Sequence, residues 1–261
     1  MEEHLRPVEG EVSIPISPLH VSEIDIKTMS EFVKKHHYSQ VMPRLTKVCY
    51  GGFKNGTLVA AVSFGWGSRP MHTIKKLFPT LDTKDYLEIG KMCLIDEEPK
   101  NTESYFLAIA IRLVKQKFPI KLVFTWADGM WGKPGYVYQA SNFQYGGFIW
   151  TDVYIDLNGN RFHPLQLQSE RRKRGLSTEL RTQRPKQEEM DERGWSRYLG
   201  KQFRYIRFVC TNREKNQLLE SSSFNWNEVY PKHKDLQWKK QIKKGTLIFC
   251  KQPNIKQSWS K

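Results

Sequence analysis

Apolar residues in this chain come mostly in short runs rich in β-branched and aromatic side chains, separated by glycine, asparagine and proline. Residues 9–22 read as one edge strand interrupted by prolines. Residues 28–37 carry a capped short helix that ends in His36-His37. Two strands, 47–53 and 57–64, meet at Asn55-Gly56, a turn whose central positions both need positive φ. The small-residue loop Gly65-Trp66-Gly67-Ser68-Arg69-Pro70 follows, then a short helix near 73–78. Residues 86–95 alternate as a strand. Its period of two puts Glu88, Gly90 and Met92 on one face and Ile89, Lys91 and Cys93 on the other. A helix runs from Asn101-Thr102-Glu103-Ser104 to about residue 117, with Phe106, Ile109, Ala110, Leu113 and Val114 as its apolar stripe.

The strongest break lies at 124–143. A buried strand over 120–126 stops at Asp128-Gly129, and Gly132, Pro134 and Gly135 keep the chain irregular. A short helix then starts at Tyr136 and carries Tyr138, Gln139, Ser141 and Asn142. A second hairpin, 146–157 with 161–163, turns at Asn158-Gly159. Residues 202–209 form a last strand and 212–219 a helix, while the lysine-rich end is tail-like. The order as far as residue 163 predicts an α/β (α+β) fold, a mixed sheet of about six or seven strands flanked by helices, to which 202–209 adds a final strand.

Charge divides the chain more sharply than hydropathy does. Residues 1–170 hold 19 Lys and Arg against 18 Asp and Glu, whereas residues 171–261 hold 23 against 9. The expectation is a core over 1–166 and a basic C-terminal extension over 167–261 that completes the fold and grips a polyanion. Arg171, Arg172, Lys173, Arg174, Arg204 and Arg207 are its candidate nucleic-acid contacts, with Trp195, Tyr198, Tyr205, Trp226 and Tyr230 interleaved. Those aromatics serve equally well to dock the extension on the core, and 167–200 reads as an exposed arm. Hydrophobic residues at 39% support a packed core. No run reaches the roughly 18 apolar residues of a spanning helix, and Met1-Glu2-Glu3-His4 does not open a signal peptide. Cys49, Cys93, Cys210 and Cys250 are scattered, which fits a reducing cytoplasm and no membrane association.

A carboxylate at a strand end, a glycine-rich loop and a polar helix make Asp128–Asn142 either a site or a plain strand-to-helix connection. The loop into Asn101, Thr102 and Ser104 presents a helix N-terminus, suited to an anion. His36 and His37 either act as ligands or acid–base groups, or simply close their helix against its dipole.

Several of these segments, taken in order, resemble the phage Mom family of adenine-modifying proteins. They are Glu88-Ile-Gly-Lys-Met92, Pro99-Lys-Asn-Thr-Glu-Ser-Tyr-Phe106, Trp126-Ala-Asp128 and Gly135-Tyr-Val-Tyr-Gln-Ala-Ser-Asn-Phe-Gln-Tyr-Gly-Gly147, with Lys201-Gln-Phe-Arg-Tyr-Ile-Arg-Phe208 and Tyr230-Pro-Lys232 further on. The similarity spans roughly residues 30–235. It implies an acetyltransferase-like (GNAT-like) core with a strongly twisted sheet. The implied activity adds an acetamide-type (carbamoylmethyl) group to the N6 amine of adenine in double-stranded phage DNA, shielding it from host restriction nucleases in the host cytoplasm. On this resemblance the family's functional positions fall on His37, Tyr38, Lys91, Ser104, Asp128 and Tyr138. Lys91 departs from the arginine expected there, and a lysine lacks the bidentate fork of a guanidinium.

The resemblance also implies acetyl-CoA or a related acyl donor, for which Lys91, Asn101, Thr102, Ser104, Ser141 and Asn142 are the candidate contacts. The glycine-rich pyrophosphate loop usual in such folds is replaced by Asp96-Glu-Glu-Pro-Lys-Asn-Thr102. His37, Tyr38 and Asp128 offer oxygen and nitrogen donors that suit iron, although no tight ligand spacing is present. Asp128 is expected to take the N6 proton, Tyr138 to act as acid or support the leaving group, and Tyr38, Trp66 and Trp131 to sandwich an extruded base. An N-acetyltransferase for another amine, or a non-catalytic DNA-binding protein, explains part of the pattern. The first leaves the basic extension idle and the second leaves Asp128–Asn142 idle. A monomer and a homodimer are both compatible with the chain.

Overall fold

The structure is a computed structural model that describes residues 19–162, 185, 187–226 and 229–256. Ten strands join one sheet, with the path β1-β2-β3-β4-β5-β8-β6-β7. The first five strands are β1 (His20–Ile24), β2 (Leu45–Lys54), β3 (Thr57–Trp66), β4 (Tyr86–Leu94) and β5 (Leu122–Asp128). They are followed by β6 (Gln144–Ile155), β7 (Arg161–Phe162), β8 (Ser196–Phe208), β9 (Trp238–Lys243) and β10 (Thr246–Cys250). Helices α1 (Ile26–His36), α2 (Pro70–Leu77), α3 (Thr102–Lys117), α4 (Tyr136–Ala140), α5 (Gln187–Glu192) and α6 (Asn212–Ser221) complete it.

Local chemistry accounts for most boundaries. Asp25 caps α1 through the Thr28 N–H, and Thr211 and Glu214 cap α6 reciprocally. Pro70 opens α2, where its missing N–H leaves no bond unmade, so this helix starts earlier than its apolar period alone suggests. Asn55 and Gly56 take φ of 49° and 78°, closing the β2–β3 hairpin as expected.

Helices cover both sheet faces. On one, Phe106, Leu107, Ala110, Ile111 and Val114 of α3 pack over Val62, Leu87, Val123 and Tyr205. On the other, Met29, Phe32 and Val33 of α1 pack over Cys49 and Cys93, while Ile74 and Leu77 of α2 and Leu218 of α6 meet Phe124, Ile206 and Trp226.

Three expectations change. The lysine-rich end is not a tail: β9 pairs with β8, and β10 with β9. That hairpin raises the strand count among the described residues to ten, and β8 begins six residues before the expected Gln202. Simple alternation also fails in β4. Ser63 pairs with Lys91 but Phe64 pairs with Ile89, so Gly90 is an extra residue in the strand. Leu87 and Ile89, and beyond the bulge Met92 and Leu94, face α3. Tyr86 and Cys93 face the helices opposite. The bulge therefore turns Lys91 to the same side as Glu88, not away from it. Of the expected edge strand, only residues from 19 on are described, and most of the arm (163–184 and 186) also lies outside the described residues. Among the described residues no helix is long and apolar enough to cross a membrane.

β8 inserts between β5 and β6, antiparallel to both, so the segment after residue 167 supplies an interior strand. Arg204 on this strand is buried at 5% exposure. Its guanidinium lies 5.2 Å from the Trp126 ring and 4.0 Å from the Phe224 ring and donates to the Gly146 carbonyl. It braces the sheet and is turned away from solvent, which corrects the expectation of a phosphate contact.

Glu88 is the buried charge with the thinnest support. Burial raises its carboxyl to about 7, against one opposing hydrogen bond from the Gly67 N–H at 3.1 Å. Between pH 4.5 and 7 the folded chain thus holds a proton that the unfolded chain has released. Stability attributable to Glu88 falls as pH rises through that window, by roughly 3 kcal/mol for a shift of this size. Glu88→Gln is expected to flatten this part of the stability–pH curve measured by urea unfolding.

Candidate active site

The site opens where two neighbouring strands part. β4 and β5 run parallel and pair only from Tyr86 with Leu122 to Glu88 with Phe124. Beyond that point the Gly90 bulge turns β4 away, while β5 stays against β8 as far as Asp128 with Gln202. The wedge between them is a cleft of about 480 Å³. Its walls bring together residues far apart in sequence: His37 and Tyr38 after α1, Lys91 on β4, Asp128 at the end of β5 and Tyr138 on α4.

Asp128 lies at the centre of the charges. One carboxylate oxygen accepts from the Met130 N–H at 3.1 Å, which caps the turn at Gly129–Trp131. Burial raises its pKa, against the pull of Arg161, Lys91 and Lys133. Burial outweighs the three cations, so the carboxylate is more basic than a solvated one.

Lys91 donates to the Ser39 hydroxyl at 2.8 Å. Burial, then the Arg161 charge, lowers its pKa to about 8, with Asp128 pulling the other way. His37 Nδ1 accepts from the Ser39 N–H at 2.9 Å, and burial with the nearby Lys91 charge lowers this imidazole to about 4. It is a neutral ring at physiological pH. Tyr38 stacks on it, ring centres 4.3 Å apart, and meets Trp131 at 5.1 Å on its other side. Burial and the Asp128 charge push the Tyr38 phenol well above its ordinary range, so it keeps its proton.

Tyr138 is fixed from behind. Its ring packs against Phe143 at 5.4 Å and Tyr205 at 5.6 Å, and its hydroxyl meets the Thr125 side chain. Burial again raises this phenol. Tyr205 donates to the Pro134 carbonyl and accepts from Gln139 at 3.0 Å, which pins the loop to α4. Gly135 is required there: φ is 96°, and a Cβ would lie 2.6 Å from the Tyr205 ring.

The candidate donor contacts are less tightly grouped. Asn101 precedes α3 in a left-handed conformation (φ 71°) with no side-chain cap, leaving the helix end open. The Thr102 hydroxyl is buried without a hydrogen-bond partner among the described residues, as is the Ser141 hydroxyl. Ser104 spends its hydroxyl on the Asn101 carbonyl at 3.0 Å, and Asn142 is exposed at φ 58°. Asp96 and Glu103 add carboxylates to the cleft wall.

Other expectations are redrawn. Trp66 does not reach the cleft: its indole N–H donates to the Thr83 and Tyr86 carbonyls and its ring packs in the core. The iron expectation finds no ligand set, since no three His, Cys, Asp or Glu side chains are grouped for a metal among the described residues. His37 also turns its Nδ1 lone pair to Ser39. Arg207 is half-buried near the charge of Arg112, and Arg171–Arg174 lie outside the described residues.

Arg161 and Lys133 were not legible as site residues. Arg161 sits on the two-residue strand β7, 5.8 Å from the Trp131 ring, and its charge acts on Asp128, Tyr38 and Lys91. Lys133 lies 5.7 Å from the Tyr38 ring. Only the fold joins Arg161 to Asp128, whereas Lys133 lies five residues after it in the same loop, with no signal that singled it out.

The chain is 27% identical over 218 residues to the methylcarbamoylase Mom of Escherichia phage Mu, covering 80% of this chain and 84% of that protein. Among solved structures, a phosphinothricin N-acetyltransferase aligns with a TM-score of 0.38 at 12% identity, over 74% of this chain and 100% of the other. A Bacillus subtilis acetyltransferase solved with CoA gives 0.36 at 10% identity, with the same coverage. The model of the Mom protein family matches residues 18–232, through every wall of the cleft, and the chain belongs to that family.

Proposed function

We propose that this protein is a DNA-modifying transferase that attaches an acetamide-type (carbamoylmethyl) group to the N6 amine of adenine. The observation that carries the reading is one carboxylate, Asp128, in a cleft lined also by Lys91, Lys133, His37, Tyr38 and Tyr138, with the Arg161 charge acting on it from β7. Membership in a family whose phage Mu protein is named a methylcarbamoylase supports the transferred group.

Adenine N6 is a weak nucleophile because its lone pair is shared with the ring. Bonding it to an activated carbon requires close placement and removal of an N6 proton. Asp128 accepts that proton; its raised pKa makes it a better base than an exposed aspartate. The three cations oppose the effect of burial and favour the charged carboxylate. Tyr38 supplies aromatic surface beside the carboxylate for an extruded base, with Trp131 packed behind it in the neighbouring pocket. Tyr138 keeps its phenol proton and donates to the departing group. The open start of α3 with the buried Thr102 hydroxyl suits an anionic donor of the acyl-CoA type, and Asn101, Thr102 and Ser104 would hold it. With an acyl-CoA donor the bond formed at N6 would be to the thioester carbonyl carbon and the bond broken would be C–S, the CoA thiol leaving with a proton. A carbamoylmethyl product, joined through its methylene carbon, would instead need a donor that carries the amide and a leaving group on that methylene. The modified adenine would shield the DNA from restriction nucleases in the cell where the protein is made.

The test is mass analysis of nucleosides from DNA of cells expressing the protein. Wild type is expected to yield a heavier deoxyadenosine. Asp128→Asn keeps the shape but not the base, and should lower that yield by about a hundredfold or more. Unmodified deoxyadenosine from cells holding folded, soluble wild-type protein contradicts the proposal.

Lys91 sets the alkaline side. Its ammonium form is lost as pH rises through about 8, leaving Asp128 with one cation fewer. The transfer rate should fall above that pH. Lys91→Arg carries a charge that does not titrate in this range, so its alkaline limb should move up by more than a pH unit.

A further inference from the structure

We infer that the sheet face carrying Phe148, Trp150, Lys201, Lys239 and Phe249 binds an unpaired DNA strand passing the cleft, stacking its bases and holding its phosphates. This face lies outside the cleft. β6, β8, β9 and β10 lie side by side, with Trp150 opposite Lys201, Leu199 opposite Lys239 and Lys239 opposite Phe249. Cations and rings alternate across it. Lys201, largely buried with its ammonium donating to the Asp235 carbonyl at 2.9 Å, lies 4.5 Å from the Phe148 ring. The half-exposed Lys239 lies 4.3 Å from Trp150 and 4.9 Å from Phe249 and is the cation of the two placed to meet a phosphate.

Two of the rings are open to solvent. Phe249 is 66% exposed and Phe148 is 42% exposed. Simple packing does not account for rings held out beside ammonium groups, whereas single-stranded nucleic acid uses both: bases stack on aromatic faces and phosphates meet lysines. The charge selects the occupant. From Leu236 to Lys256 the chain carries six lysines and no carboxylate. A second copy of the chain meeting this face would repel it, and a polyanion would not. From β6 to β10 the face spans three strand spacings, roughly 14 Å, enough for more than one base.

Position ties the face to the chemistry. Trp238, which begins β9, and Gln252, after β10, both donate to the Met130 carbonyl at 3.3 Å, two residues beyond Asp128. The hairpin is thus bolted to the loop forming one cleft wall. Extruding an adenine from a duplex unstacks its neighbourhood, and a surface that captures unpaired bases lowers the cost of that opening. The choice of DNA, but not the binding of a single strand, rests on the proposed reaction.

Fluorescence anisotropy with a labelled oligothymidine and with a duplex tests the inference on the full chain. Oligothymidine contains no adenine, so the outcome is independent of whether adenine is modified. Wild type is expected to bind the single strand. Phe148→Ser with Phe249→Ser should weaken that binding by roughly 5- to 100-fold and duplex binding much less. Lys239→Ala with Lys243→Ala should reduce the slope of log affinity against log salt by about 1.4 on the single strand. The replaced residues are exposed or half-exposed, and thermal melting checks that the variants fold. Failure of wild type to bind oligothymidine, wild-type affinity in the aromatic variant, or a homodimer that dissociates on Phe249→Ser overturns the assignment.

Discussion

The site depends on the parting of β4 and β5. Two parallel strands that separate inside a sheet expose the backbone groups of their inner edges, a costly arrangement unless each keeps a partner on its outer edge. β4 keeps β3, and the bulge at Gly90 is bridged by the Lys91 N–H donating to the Ser63 hydroxyl at 3.0 Å. β5 keeps β8 along its whole length. The wedge can therefore stay open without the sheet coming apart, and what faces it is chosen by the strand ends: Lys91 on one wall and Asp128 on the other.

The late part of the chain makes this possible. β8 is the partner that β5 needs, and Tyr205 on it pins the loop that positions Tyr138. Arg204 fastens the same strand through Trp126 and Phe224. A segment that stands out in the sequence for its charge thus does its first work as packing. Its charge acts where lysines reach the surface, on the hairpin after residue 236, and less on β8 itself.

Local signals were legible and long-range ones were not. Asn-Gly turns, helix caps and the break at Asp128 are written in a few adjacent residues, and the strands and helices between them followed. The bulge at Gly90 was invisible to a period-two reading because a glycine in a strand announces neither its extra residue nor its direction. Alternation therefore sent Lys91 to the wrong side. Trp66 read as a binding ring but is consumed by two backbone carbonyls, a partner choice that depends on residues 17 and 20 positions away. Arg161 carried no motif at all, and only the pairing of β7 with β6 brings it near Asp128. His37, Tyr38, Asp128 and Tyr138 were singled out by an ordered resemblance where spacing by itself left them open, and the fold brings all four to one cleft.

The proposed reaction sets one requirement: the adenine amine reaches the Asp128 carboxylate, whose basicity burial raises and three cations oppose. A crystal structure of Asp128→Asn with a duplex containing one target adenine examines that requirement directly. The account predicts the adenine out of the helix beside Tyr38, its N6 within about 3 Å of the residue 128 side chain. An adenine still stacked in the duplex, or bound away from the wedge between β4 and β5, would contradict it.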